Sequence, residues 1–161
     1  EFKTHIYFVA PCTVGLGTNG VCNGSASEDD VPALKRLVLG SGGFTIEPLV
    51  EGVEFFQVEY GIDTAPTTVD DTTGEEGDGV PDSYVTLPAS AKQWSQVVAA
   101  RLFMLVRSTN KSKSYTDEKV YKLNSGVGSF TYGPANDNSK RHVFTVETQI
   151  VNVAGRREIP I

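Results

Sequence analysis

The feature that most constrains this chain is the run Val97–Arg107, VVAARLFMLVR, eleven residues in which Arg101 and the closing Arg107 are the only polar members. Eleven residues fall short of the roughly 20 that cross a bilayer as a helix. The run therefore has to be covered by protein on both faces. Its Val and Phe content favours a central β-strand over a helix of the same length. The wider composition agrees: twenty Val and fifteen Thr stand against nine Leu and one Met, a bias toward pleated structure. Flanking strands are expected at Thr4–Ala10, Leu34–Leu39, Val53–Tyr60, Lys119–Leu123 and His142–Val153, with a short helix over Ala89–Gln96.

Between these elements lie turn-rich connections at Thr13–Pro32, Gly40–Gly43, Asp63–Pro81, Asn110–Asp117 and Asn124–Lys140. Several exceed ordinary connection lengths, so they need ordering by something other than strand ladders. The 161 residues suffice for one domain with a real core. The fold class expected is mainly β, antiparallel sheets with long loops, as a single domain over residues 1–161. No run of eighteen apolar residues and no signal-like N-terminus is present. The chain opens on Glu1-Phe2 and directly enters a strand-like run, which reads as a piece of a longer protein.

The net charge is −6, which argues against nucleic acid held by a general basic field. It is also local. Asp63 to Asp82 carries seven acids and no base, and the rest of the chain sums to +1. Residues 1–91 carry −12 and residues 92–161 carry +6. Within the acidic stretch, Glu76, Asp78 and Asp82 alternate with Gly77 and Gly79, and these carboxylates are candidate calcium ligands, with Asp63 a further candidate. The competing reading is a solvated hairpin tip kept soluble by charge.

Cys12 and Cys22 are the only cysteines. A disulfide between them would close a small loop with little apolar content of its own. Zinc held by both thiols with His5 and His142, or two free thiols, are the alternatives; the spacing does not match a Cys-x-x-Cys knuckle. No catalytic constellation is apparent: there is no Gly-x-Ser-x-Gly elbow, no phosphate loop and no His-Glu-x-x-His. Gly40-Ser41-Gly42-Gly43 reads as a turn, His142 as a surface residue at a strand start, and Trp94 and Phe103 as core. Arg156-Arg157 could grip an anionic partner, or simply end the last strand in a polar tail.

Five segments carry a resemblance. They are Ile6-Tyr7-Phe8-Val9-Ala10-Pro11-Cys12, Leu34-Lys35-Arg36-Leu37, the stretch Pro48 to Gly61 (PLVEGVEFFQVEYG), Gly77-Asp78-Gly79-Val80-Pro81-Asp82-Ser83-Tyr84, and Val151 to Glu158 (VNVAGRRE). In this order they resemble the PilW-type minor pilins of bacterial type IV pili. Val97–Arg107 followed by Ser108 is similar to the apolar strand of that family. The resemblance implies a β-rich head on an N-terminal hydrophobic helix that this chain lacks, giving an α+β whole. It implies no enzyme activity and no required cofactor. Other minor pilins and the major pilin are the implied partners, in a tip or priming complex that starts pilus assembly, with a tip adhesin as a further partner. Membrane contact would run only through the N-terminal helix, with the head periplasmic before assembly and on the surface pilus afterwards. Twitching motility and adhesion would follow from that role. A J-type minor pseudopilin of type II secretion and a secreted calcium- or carbohydrate-binding β module are the rival readings. Relatives carry a tighter Asp-x-Asp-Gly-Asp-Gly run after the Gly-Ile/Leu-Asp step; here Thr64–Gly74 is inserted.

Overall fold

The computed structural model describes residues 4–19, 21–25, 29–64, 78–124 and 130–151. Strand predominates, as expected. In chain order the elements are β1 (His5–Ala10), β2 (Ala33–Gly40), β3 (Gly43–Glu51), β4 (Val53–Ile62), β5 (Ser83–Val85), α1 (Ala91–Ser95), β6 (Val97–Arg107), β7 (Tyr121–Lys122), β8 (Thr131–Tyr132) and β9 (Arg141–Gln149). They form an antiparallel sheet ordered β1-β2-β3, a four-stranded sheet ordered β5-β4-β6-β9 and a two-stranded ribbon β7-β8. The apolar run that opened the sequence reading is β6, residue for residue, and it lies between two neighbours as its composition requires.

The chain divides into two compact units, one of Glu1–Phe56, Met104–Lys122 and Thr131–Phe144, the other of Gln57–Phe103, Leu123–Phe130 and Thr145–Ile161. The first unit contains the three-stranded sheet. Ser41 and Gly42 link β2 to β3 in a two-residue hairpin closed by Gly40↔Gly43, which fixes the register Leu39↔Phe44, Leu37↔Ile46 and Lys35↔Pro48. The closing pair of such a hairpin is hydrogen-bonded, and bonded pairs then alternate along the ladder. Pro48 consequently falls in a non-bonded pair, with its nitrogen turned away from β2. A proline there costs the ladder nothing, which is why β3 forms despite it. Ala10, Cys12, Ala33, Val53 and Leu105 are buried in this unit. Gly52 sits at φ +82, and a Cβ on it would stand 2.5 Å from the Arg107 carbonyl oxygen. The glycine lets its amide reach the Pro32 carbonyl (2.6 Å) while its own carbonyl accepts from the Arg107 amide (2.8 Å).

In the second unit β5 pairs with the end of β4 through Tyr60↔Val85, Gly61↔Tyr84 and Ile62↔Ser83. Gly61 is obligatory for a different reason: a Cβ would lie 2.7 Å from Pro81 Cβ and 3.1 Å from Ala99 Cβ. The single turn α1 starts at Ser90, whose Oγ accepts the Gln93 amide at 3.2 Å, while Gln93 Oε1 accepts the Ala89 amide at 2.6 Å. Ile62, Val97, Val98, Ala99, Phe103 and Leu123 are buried. The expectation of core placement holds for Phe103 but is corrected for Trp94. That indole is 46% exposed, packed edge-on against Tyr60 at 4.9 Å between centroids. It belongs to the short α1 turn, which buries none of its residues.

Candidate interaction surface

Cys12 and Cys22 are joined by a disulfide, with Cα atoms 5.9 Å apart. This removes the zinc and free-thiol alternatives, and both His5 and His142 are exposed. Asp29 organises the same loop: its carboxylate accepts the amides of Thr13 (2.9 Å), Val14 (2.7 Å) and Val31 (2.9 Å). Although burial pushes the Asp29 carboxyl up, those three amides and Lys35 hold it below the usual carboxylate range. Lys35, itself buried, donates to the Gly15 carbonyl. A long loop whose described residues carry one isolated β-bridge, Thr18↔Val21, is thus tied down by one disulfide and one carboxylate.

Three of the four candidate calcium ligands lie within the described residues. Glu76 lies outside the described residues. Asp63 Oδ2 accepts the Gly79 amide at 3.2 Å, Asp78 Oδ1 accepts the Val80 amide at 2.8 Å, and Asp82 Oδ2 accepts both the Thr64 amide (2.7 Å) and hydroxyl (2.8 Å). These acids cap the two ends of their own loop. Among the described residues no group of three or more His, Cys, Asp or Glu side chains is placed to hold a metal ion. Arg156 and Arg157 also lie outside the described residues.

A cluster that the sequence did not suggest surrounds Arg141. Its guanidinium, 1% exposed, donates to Glu54 (2.5 and 2.9 Å), Asp117 (2.9 Å) and Asp137 (2.6 and 2.7 Å). The hydroxyls of Tyr115 and Tyr121 donate to Asp117 Oδ1 at 3.0 and 2.8 Å. Hydrogen bonds from Arg141 lower the Asp137 carboxyl to about 2, and the same bonds raise the guanidinium well above its ordinary value. Burial and the neighbouring Asp117 likewise push the Tyr121 hydroxyl up. Arg107 adds a second cation 3.6 Å from Glu54. Each group has its partners, so the arrangement is a buried staple and offers no free acid, base or nucleophile. Beside it, an open cleft of about 380 Å³ is lined by Pro11, Cys22, Asp30, Glu54, Arg107 and Tyr132, its charges likewise taken up internally.

Among the described residues, exposed apolar side chains gather on one face of the three-stranded sheet. The registers of β1-β2-β3 place Ile6, Leu37 and Ile46 in one row across the sheet, with Leu39 and Phe44 in the next row on the same face. Ile6 is 49% exposed and Phe44 68%. On the opposite face, one residue along, Tyr7, Arg36 and Glu47 form a polar row with an Arg36–Glu47 ion pair of 2.6 Å. Exposed side chains of this size gathered on one sheet face mark a contact surface more often than a solvated one. On β9, Phe144 and Val146 are also half exposed. In the second unit Tyr84, with Arg101 3.7 Å over its ring, donates to Glu147 at 2.5 Å. Burial and that carboxylate push the Tyr84 hydroxyl up to about 12.

The described residues thus form a disulfide-tied antiparallel β structure with exposed apolar side chains on one sheet face and a paired, buried charge cluster. The family model for Type IV Pilus-assembly protein W matches residues 6–152, and the chain belongs to that family. Its role is therefore in type IV pilus assembly. No curated protein and no solved structure matches the chain. No helix among the described residues is long and apolar enough to cross a membrane.

Proposed function

We propose that residues 1–161 act as one head domain of a minor pilin, joining other minor pilins in the tip or priming complex that starts pilus assembly. The observation that carries this reading is the uncovered apolar face built by Ile6, Leu37, Leu39, Phe44 and Ile46, on a chain of the pilus-assembly family. Burying such a face contributes roughly 25 cal/mol for each Å² removed from water, and a stable contact needs about 800 Å² from each partner, of which this face would form the apolar centre. The mechanism is templating: the head offers complementary surfaces to neighbouring subunits and transforms no substrate. The unequal charge of the two sequence halves suits contacts between unlike subunits, where opposite potentials speed encounter and fix orientation. The head stands on the periplasmic side of an anchored subunit before assembly and on the pilus afterwards.

The test is co-purification of this protein with the other minor pilins of its organism, comparing wild type with Phe44→Ser and Ile46→Ser. Both side chains are exposed, so the variants should fold normally while losing the partners. Undiminished recovery of partners by both variants would remove the apolar face from the interface.

A further inference from the structure

Strand β1 is an edge of its sheet, and among the described residues nothing pairs with its outer side. The phase of the ladder fixes what that side presents. Gly40↔Gly43 closes the β2–β3 hairpin as a bonded pair, so Val38 and Arg36 direct their main-chain groups toward β3. On the other side of β2, Ile6↔Leu37 and Phe8↔Lys35 are then the bonded pairs with β1. The amides and carbonyls of His5, Tyr7 and Val9 consequently point outward. The far edge of the sheet, β3, is guarded by Pro48, whereas β1 has no proline between His5 and Ala10.

Strand β9 is the outer strand of the four-stranded sheet. The Ile150 amide donates to the Val98 carbonyl of β6 at 2.7 Å. Stepping back in twos, the even-numbered amides of β9 face β6, and Val143, Thr145 and Glu147 present theirs outward. Phe144 is 49% and Val146 51% exposed.

We propose that β1 of one copy pairs antiparallel with β9 of a second copy of this chain, in the register His5↔Glu147, Ile6↔Val146, Tyr7↔Thr145, Phe8↔Phe144 and Val9↔Val143. Two properties select that register. Outward-facing main-chain groups meet outward-facing ones at His5, Tyr7 and Val9. The intervening non-bonded pairs, where side chains approach most closely, set apolar against apolar at Ile6 and Phe8. A slip of one residue opposes outward to inward groups, and a slip of two sets Ile6 against Thr148 or Phe8 against His142, so the apolar match is lost. A groove of about 330 Å³ along β1, walled by Tyr7, Phe8, Val9, Phe55 and Phe56 with Glu54 at one side, takes the Phe144 ring of the second copy. This pairing goes beyond the mixed complex proposed above and does not depend on it.

Light scattering of the purified chain over a range of concentrations reads the association, and circular dichroism reads the fold. Tyr7→Pro and Thr145→Pro each remove one outward amide and spare the inner ladder, as Pro48 does naturally. The wild type should rise above monomer mass with concentration, and both variants should stay monomeric with unchanged spectra. Where a proline variant fails to fold, cross-linking decides. Mixed Ile6→Cys and Val146→Cys proteins should form an intermolecular disulfide, and Ile6→Cys with Thr145→Cys, on the opposite face, should not. A wild type that stays monomeric throughout, association only with a different pilus protein, association that survives both folded proline variants, or equal cross-linking to Thr145→Cys would each overturn the pairing.

Discussion

Replacing Arg141 by Met removes the hub of the buried cluster while keeping a side chain of similar length. Asp117, fully buried, then retains only the hydroxyls of Tyr115 and Tyr121, and Glu54 retains only the more distant Arg107 at 3.6 Å. Removing one partner of a buried ion pair costs about 3–5 kcal/mol, because the other charge is left in a poorly solvating interior. For a chain of this size about 1 kcal/mol shifts the melting temperature by roughly 2–4 °C, so a fall of about 6–20 °C is expected. Arg141→Lys keeps the charge but cannot span Glu54, Asp117 and Asp137 together, and should lie between the two. Adding Asp117→Asn to Arg141→Met removes the stranded charge and should recover part of the loss. The acid limb supplies a second readout. Asp137 is held at about 2 in the folded state by Arg141, below its ordinary 3.8. A carboxyl lowered on folding contributes stability that is present above its unfolded value and lost as pH falls through its folded one. Wild-type stability should therefore drop between about pH 4 and pH 2, and the Arg141→Met profile should be flatter there. Thermal melts that place Arg141→Met level with wild type, with an unchanged acid limb, would refute the reasoning.

Four further outcomes follow from the same coordinates. Gly52→Ala, which forces a Cβ to 2.5 Å from the Arg107 carbonyl oxygen at positive φ, should lower stability by about 1–3 kcal/mol in denaturant titration. Replacing Cys12 and Cys22 by Ala and Ser should cost about 3 kcal/mol by loop-closure entropy, read as a lower denaturation midpoint. Ser139 Oγ is buried without a hydrogen-bond partner, so Ser139→Ala should be neutral or slightly stabilising, whereas a clear loss would reveal a partner. Asp63, Asp78 and Asp82 already accept hydrogen bonds within their loop, so melts in EDTA and in millimolar calcium should coincide. A calcium-dependent rise would assign these acids, with Glu76, to a cation.

The sequence made the interior strands legible because burial on two faces leaves an unmistakable apolar record. Val97–Arg107 is β6 without adjustment, and β1, β2 and β4 lie within two residues of their expected starts and ends. Strand β3 was hidden for the converse reason. It carries Pro48 and exposes nearly all of its side chains, so neither burial alternation nor β-propensity marks it; only the hairpin at Gly40–Gly43 gives a hint. Strand β8 and Asp137 fell in one expected loop, Asn124–Lys140, and Tyr115 and Asp117 in another, Asn110–Asp117, loops ordered here by charge pairing and hydrogen bonds. Glu54 lies 87 positions from Arg141, a separation across which no local pattern can point. Trp94 was misplaced because a large aromatic beside Val97 suggests a core, while the short α1 turn leaves it on the surface. The disulfide was readable from composition; the role of Asp29 beside it was not, since a lone aspartate gives no sign of the three amides it gathers.

The central claim is that this head works by docking onto other pilus-assembly subunits. Cross-linking in intact cells, followed by purification of the protein and identification of what travels with it, tests that claim most directly. Recovery of the other minor pilins, reduced by Phe44→Ser and Ile46→Ser, is the expected result. Absence of every pilus subunit from the cross-linked material, in cells that assemble pili normally, would contradict it.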